Sequence, residues 1–378
     1  MKIVADENLA LVRELFGGLG ELVTLSGRSM TAADVRDADI LLVRSVTLVN
    51  AGLLENSRVR FVGSATIGTD HLDTAWLDGQ GISWSAAPGC NASSVVEYVV
   101  AVLCRLWRDG KLDWENHVFG VVGLGNVGGL LAQTLQRLGL KVLGCDPFRA
   151  CDGVGRVGVD ELISRADVIC LHTPLTRSGP YPTYHLFGRE RLQRFAGKVL
   201  INAGRGAVVD NGALLALIDA GVVDPGRIIL DVWETEPDIC RDLLARVLIG
   251  TPHIAGYSQE GKWKGSLMVR AALLGFLGRE AQPDMSLGLK AETLLELDGA
   301  SGWGGLASLV ESVYPVQRDH DDLCRELLLN RKPAFAFDEL RKGYWPRREF
   351  SSCQVRLTGA ADGVMNSRLR SLGFIVTP

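Results

Sequence analysis

The sequence is poor in the features that would give a protein a metal, a membrane or a nucleic acid to work on. Its eight cysteines include no CxxC pair and no Cys/His cluster. Several, such as Cys104, Cys145 and Cys170, lie inside apolar runs as small hydrophobes, so neither a disulfide framework nor a metal site is indicated. His71 stands between Asp70 and Asp73, but one histidine without a second group of ligands reads as a helix-start residue. The 40 Lys and Arg are outweighed by 44 Asp and Glu, for a net charge of −4. No basic stretch is interleaved with aromatics, which removes the electrostatic footprint of a nucleic-acid partner. No apolar run is long enough to span a bilayer, and MKIVADENL reads as a strand followed by polar residues, without the apolar core of a signal peptide. A cytoplasmic protein with no membrane partner is expected.

What is present is enough for two or three globular domains: 378 residues, 47% hydrophobic and 22% charged. The most informative stretch runs from residue 114 to 146. An apolar run, His117 to Val122, predicts a buried strand; a glycine turn follows, then a helical stretch from Val127 to Leu138, then a second strand, Lys141 to Cys145, closed by Asp146. This is one βαβ unit. Gly123 lets the chain reverse, Gly125 lets the backbone approach a pyrophosphate, and Gly128 lets the helix lie close to the strand. The free N–H groups at the helix start, at Asn126 and Val127, then face the phosphates. Asp146, about 20 residues on, can accept both hydroxyls of an adenosine ribose and would repel a 2′-phosphate, which favours NAD over NADP. Arg149 nearby is a counter-charge that works against that preference.

Residues 1 to 92 alternate short apolar and helical runs, as in a small domain of parallel strands. Two of those strands end in polar residues, Arg44-Ser45 and Ser64 to Asp70, where a doubly wound sheet gathers ligands; the same residues can also simply start turns or cap helices. Residues 92 to 110 read as a buried connecting helix, with Ser93 and Ser94 as caps. Further strands end at Thr173-Pro174, at Ala203 to Arg205 and at Asp231 to Glu234, which places these residues in the crevice of the glycine turn. A helix from Gln259 to Leu277 carries the chain back to the first domain, with a cleft between the two. From about 286 the pattern changes to a mixed α/β appendage, in which Trp345-Pro346-Arg347-Arg348 could serve association or reach an anionic ligand. The expected divisions are 1–92 with 257–285 for substrate, 93–256 for nucleotide and 286–378 for dimerisation.

Oxidation of a 2-hydroxy acid needs a cation for substrate oxygens, a base for the hydroxyl proton and an acid that tunes the base. Arg205 in NAGRG offers planar, permanently charged donors. His253 in TPHIAG can take and return the hydroxyl proton. Glu234 in DVWETEP is expected to orient the imidazole and stabilise its charged form. Taken singly, such an arginine is commonly a surface cation, such a histidine bonds backbone, and such a glutamate caps a helix; at the strand ends of one nucleotide sheet the three point to chemistry.

GVVGLGNVG, ADVICLHTPLT, INAGRGAVVDNGAL, DVWETEP and TPHIAGYS resemble the signature segments of the D-isomer-specific 2-hydroxyacid dehydrogenases, over most of residues 40 to 280. Within that family, SATIGTDHLD, HTPLTRSGPYPTYHL, HIAGYSQEGKWKG and FDELRKGYWPRREF look most like the branch that oxidises 4-phospho-D-erythronate on the route to pyridoxal 5′-phosphate. The resemblance implies an α/β fold: a Rossmann-type nucleotide domain, a flavodoxin-like substrate (lid) domain and a C-terminal α+β dimerisation domain. It implies NAD as cofactor, a small phosphorylated 2-hydroxy acid as substrate, and a homodimer. Carried over by position, it makes Arg205 and Glu234 catalytic and His253 the proton donor and acceptor. It places Ser45, Thr66 and Tyr257 against substrate, and Asp146, Thr173, Ala203, Gly204, Arg205, Asp231 and Gly256 against NAD. A phosphoglycerate dehydrogenase and a non-catalytic NAD(H)-sensing protein are the alternatives. Arg44 and the Arg347-Arg348 pair are candidates for the substrate's phosphate.

Overall fold

Short β-branched and apolar runs that stop at glycine or at a polar cluster become strands, and all the strand pairs among the described residues are parallel. The computed structural model describes residues 1–280, 293–329, 332–359 and 363–377. They form two compact units: residues 1–91 with the segment that starts at Ser258, and residues 92–257 with those from 293 onward.

In the first unit, β1 (Lys2–Asp6), β2 (Glu21–Leu25), β3 (Ile40–Val43), β4 (Phe61–Ser64) and β5 (Ser83–Ser85) lie in the order β2-β1-β3-β4-β5. This is the flavodoxin-like doubly wound order, whose strand direction of travel reverses between β1 and β3. All four residues of β3 are buried because both faces of the sheet are covered. Leu41 and Val43 pack with Val35 and Leu54 on one side; Ile40 and Leu42 pack on the other with Leu15, Phe16, Val269 and Leu273. The last two belong to the helix Gln259–Phe276, which returns to this unit as its apolar face requires. His71 is not a helix-start residue: Asp73 caps the helix Thr74–Gly79, and His71 is buried with Nε2 2.8 Å from the Ser64 hydroxyl.

The second unit holds β6 (Val118–Val122), β7 (Lys141–Cys145), β8 (Gly155–Arg156), β9 (Val168–Leu171), β10 (Val199–Asn202), β11 (Ile228–Leu230) and β12 (Ile249–Gly250), in the order β12-β11-β10-β9-β6-β7-β8. Its topological switch lies between β6 and β9, so the loops after these two strands open a crevice at the carboxyl edge. The helix Ala92–Arg108 is buried along most of its length. The expected cap Ser94 instead lies inside the protein and donates its hydroxyl to Glu349 Oε1 at 2.8 Å.

The C-terminal segment has a sheet of its own, β13 (Thr293–Asp298), β14 (Cys353–Thr358) and β15 (Ile375–Thr377), with helices around it. Its apolar core is continuous with that of the nucleotide sheet. Leu306, Val310, Phe350 and Leu369 join the cluster that contains Val99, Phe119 and Leu131, and Leu323, Leu327 and Phe337 join Leu230 and Leu243 on the other side.

Polar groups lock this segment in place. Asp319 accepts from the hydroxyls of Tyr314 (3.0 Å) and Tyr344 (2.7 Å) and from Trp345 Nε1 (3.0 Å). Burial pushes its carboxyl up in pKa, and these donors oppose that shift. Arg347, 1% exposed, donates Nη2 to the carbonyls of Ser94 and Ala255 at 3.0 and 2.8 Å and lies over the Tyr314 ring at 4.2 Å. Trp345 and Arg347 therefore serve internal packing, a correction to the expectation that their segment serves association or reaches an anionic ligand. Replacing Asp319 with Ala strands three donors at once and should cost about 3 kcal/mol or more. The check is a chemical-denaturation comparison with the wild type, in which an unchanged midpoint would show that Asp319 does not hold the segment.

Candidate active site

The glycine turn follows β6 directly. Gly123 has φ +87°, and a Cβ there would come within 2.8 Å of the His172 carbonyl oxygen. A Cβ on Gly128 would come within 1.8 Å of the Gly123 carbonyl oxygen, so the helix Asn126–Arg137 can approach the strand only with glycine at this position. At Gly125 the nearest atom to such a Cβ is Arg149 Nη1 at 4.0 Å, which leaves open space over the helix N-terminus, with a cation at its edge. Asp146 sits at the end of β7 and accepts from the backbone N–H groups of Leu124 (2.8 Å), Phe148 (2.8 Å) and Arg149 (2.9 Å). The carboxylate is thereby fixed beside the turn, with acceptor capacity left on Oδ2. At the end of β9, Thr173 Oγ1 and both ring nitrogens of His172 are buried without a hydrogen-bond partner. Burial lowers the His172 pKa to about 4, so the ring is neutral. An open phosphate cradle, a fixed carboxylate and unpaired polar atoms beside the turn fit a dinucleotide.

The strand ends next to the switch supply the chemistry. After β10, Asn202 ties the loop by donating Nδ2 to the Arg205 carbonyl (3.1 Å) and accepting from Gly204 N–H (3.2 Å). Arg205 Nη1 meets the Gly204 carbonyl at 2.9 Å. A Cβ on Gly206 would come within 1.8 Å of the Trp233 carbonyl oxygen, so the loop carrying Arg205 lies directly on the loop after β11. In that second loop Asp231 is buried, and its carboxylate accepts from Thr251 Oγ1 (2.7 Å), Ile254 N–H (2.8 Å) and Ala255 N–H (3.1 Å). Its carbonyl accepts from His253 N–H at 2.7 Å. These bonds hold His253 at φ +55°, a left-handed conformation that costs a non-glycine residue about 1–2 kcal/mol.

The carboxylate at His253 is Glu236, whose Oε2 lies 2.7 Å from Nδ1. This corrects the expectation that Glu234 orients the imidazole. Glu234 Oε1 instead lies 2.6 Å from Nε2 of His185, its Oε2 accepts from Asn211 N–H (3.0 Å), and its own N–H donates to Asn211 Oδ1 (3.1 Å). The physical reason is local: Thr235 between the two glutamates adopts φ +62°, so the side chains on either side of it serve different neighbours. Glu234 joins its own loop to His185 and to Asn211 at the start of the helix Asn211–Asp219; Glu236 reaches the base. Burial alone would raise the Glu236 pKa, but the imidazole beside it and the Trp233 N–H (2.8 Å) hold it below the usual glutamate value. With Nδ1–H donated to a carboxylate, Nε2 is the ring nitrogen left to exchange a proton.

In the first unit, Thr66 Oγ1 lies 2.7 Å from Ser64 Oγ and donates to the Gly68 carbonyl at 2.9 Å, and Ser45 is exposed after β3. Of the phosphate candidates, Arg44 is paired with Asp6 at 3.0 Å and Arg347 is an internal strut. Tyr257, in the second unit, sits four residues after His253, with its ring edge-on to Tyr344 at 5.8 Å.

A family model described as D-isomer specific 2-hydroxyacid dehydrogenase, NAD binding domain, matches residues 105–255, and a domain of unknown function matches 291–373. The chain is 49% identical to the erythronate-4-phosphate dehydrogenase of Cellvibrio japonicus, over 99% of both chains, and 46% identical to that of Pseudomonas syringae pv. tomato, over 99% of this chain and all of the relative. Its fold is similar to D-lactate dehydrogenase from Aquifex aeolicus, solved with NAD and lactic acid (TM-score 0.62, 24% identity, 74% of this chain and 96% of that one). It is similar also to 3-phosphoglycerate dehydrogenase of Entamoeba histolytica with bound NAD (TM-score 0.63, 22% identity, 74% and 95%).

Glu236→Gln should lower kcat by about 10²-fold or more, since the carboxylate sets the tautomer and charge of the base. Glu234→Gln should lower it by less than about tenfold, since it removes a loop contact only. Steady-state kinetics on the two variants decide between them; the reverse ranking would return Glu234 to the mechanism.

Proposed function

The chain belongs to the erythronate-4-phosphate dehydrogenases within the D-isomer-specific 2-hydroxyacid dehydrogenases, and from that we propose that it oxidises 4-phospho-D-erythronate with NAD. The product is (R)-3-hydroxy-2-oxo-4-phosphooxybutanoate, an intermediate on the way to pyridoxal 5′-phosphate. The observation that carries the reading is the His253–Glu236 pair at 2.7 Å, held at strand ends of the sheet that bears the glycine turn.

Bound NAD supplies a hydride acceptor at its nicotinamide ring. Gly123 to Gly128 and Asp146 would hold the pyrophosphate and ribose, with Thr173, Ala203 to Arg205, Asp231 and Gly256 along the same edge. Arg205 would bind the substrate carboxylate and the C2 oxygen, its guanidinium matching two oxygens at once. His253 Nε2 takes the C2 hydroxyl proton as C2 loses hydride, and the carboxylate of Glu236 stabilises the resulting imidazolium. In the reverse direction the same nitrogen returns the proton. Ser45, Thr66 and Tyr257 complete the substrate contacts in this reading. Purified protein mixed with NAD should generate NADH absorbance with 4-phospho-D-erythronate, and much less with 3-phospho-D-glycerate. Binding of NAD with no turnover on either acid would point to a sensor instead.

The family likeness also supports a homodimer in the cytoplasm, with the C-terminal segment at the interface. No helix of the described residues is long and apolar enough to cross a membrane. Leu294, Leu329, Phe335 and Val364 of that segment are all exposed. Sedimentation at micromolar concentration should give the mass of two chains, and a single-chain mass would refute the dimer.

A further inference from the structure

A phosphorylated 2-hydroxy acid carries an anion at each end, and Arg205 can serve only one of them. A second guanidinium reaches the neighbourhood of His253 from the C-terminal segment. Arg341 lies in the last turn of the helix Pro333–Lys342. Its guanidinium carbon is 5.7 Å from the centre of the Tyr257 ring. It also bonds the Tyr257 side chain and lies in the field of Glu236, the carboxylate that holds His253. Its Nε is buried with no hydrogen-bond partner. A guanidinium N–H removed from water without an acceptor is unfavourable, and the cost is lifted when an anion supplies the missing oxygen.

The surroundings fix the guanidinium's neighbour in place. Tyr344 holds the Tyr257 ring edge-on at 5.8 Å and donates its own hydroxyl to Asp319 at 2.7 Å. Of the other arginines considered for this task, Arg44 is paired with Asp6 and Arg348 donates to Ser352 Oγ at 2.9 Å. Arg347 also has Nε and Nη1 buried without a partner, but it is only 1% exposed and its Nη2 is tied to two backbone carbonyls.

We propose that Arg341 binds the substrate's phosphate, with Tyr257 beside it, so that the C-terminal segment determines specificity for a phosphorylated acid. The guanidinium offers a planar fork that pairs with two phosphate oxygens, a geometry a lysine ammonium cannot reproduce. The assignment rests on the reading of the substrate as a phosphorylated 2-hydroxy acid.

The test uses the full-length protein with NAD present, comparing wild type with Arg341→Met, which keeps an unbranched stem without the charged head, and Arg341→Lys. Calorimetric titration with inorganic phosphate should show affinity lost by about tenfold or more in Arg341→Met and partly kept in Arg341→Lys. The ratio of kcat/KM for 4-phospho-D-erythronate to that for unphosphorylated D-erythronate should fall by a similar factor, mostly through KM. Unchanged phosphate affinity, or equal losses on both acids, would overturn the assignment. If the methionine variant does not fold, the lysine variant is read against the same two outcomes. A wild type that binds phosphate yet oxidises neither acid would refute the substrate reading, and loss of that phosphate binding in the variants would still locate the anion site at Arg341.

Discussion

The buried carboxylate of Asp231 is the constraint on which the rest of the site depends. Its residue directly follows β11, and through three side-chain bonds and one carbonyl bond it folds the Thr251–Ala255 segment back over the sheet edge. Burial works against a charge there and raises the Asp231 pKa, while the neighbouring imidazole and these donors pull the other way. The left-handed backbone of His253 follows from this arrangement: the strain of φ +55° is offset by four hydrogen bonds to one residue. Only with the imidazole so placed does Glu236 meet its Nδ1. A base whose direction is set by the fold does not have to be ordered by the substrate, which is where catalytic advantage from positioning arises.

The same economy of contact links the nucleotide turn to the base. Gly123 abuts the His172 carbonyl and Gly206 abuts the Trp233 carbonyl, so the loops after β6, β9, β10 and β11 touch through backbone rather than side chains. Side chains larger than hydrogen would push these loops apart, and the atoms that hold cofactor and the atoms that move a proton would separate with them. Glu234 adds a second tie, since its carboxylate bridges His185 and the N-terminus of the helix Asn211–Asp219. The C-terminal segment belongs to this scheme because its core runs into that of the nucleotide sheet on both faces; Asp319 fixes its polar interior, and Arg347 ties it to the helix Ala92–Arg108 and the loop after His253.

Much of this was legible in the residues. The βαβ turn announces itself because few residue types other than glycine tolerate a positive φ or so close an approach, and because buried parallel strands must be apolar throughout. The strand ends with chemical potential were visible for the same reason: apolar runs stop where the sheet edge meets ligand. The choice between Glu234 and Glu236 was not legible. Both lie in one heptapeptide beside a proline, and which one faces the histidine depends on the backbone turn at Thr235, for which threonine carries no local signal. His71 and Arg347 were misread for a related reason. A histidine among aspartates suggests a helix start and an arginine beside another arginine suggests an anion site, whereas the Ser64 hydroxyl and the carbonyls of Ser94 and Ala255 give them buried partners that composition does not reveal.

The sequence by itself determined the parallel-strand α/β character of both units, the position of the nucleotide turn and the residue types available for hydride-transfer chemistry, because period, glycine placement and strand-end polarity are local properties. Only the tertiary structure decided which carboxylate serves His253, that Glu234 ties loops together, and that Arg341 of the C-terminal segment lies beside Tyr257. Those outcomes depend on contacts between residues as far apart as 236 and 253 or 257 and 341, and no local pattern encodes the direction in which a side chain leaves a loop.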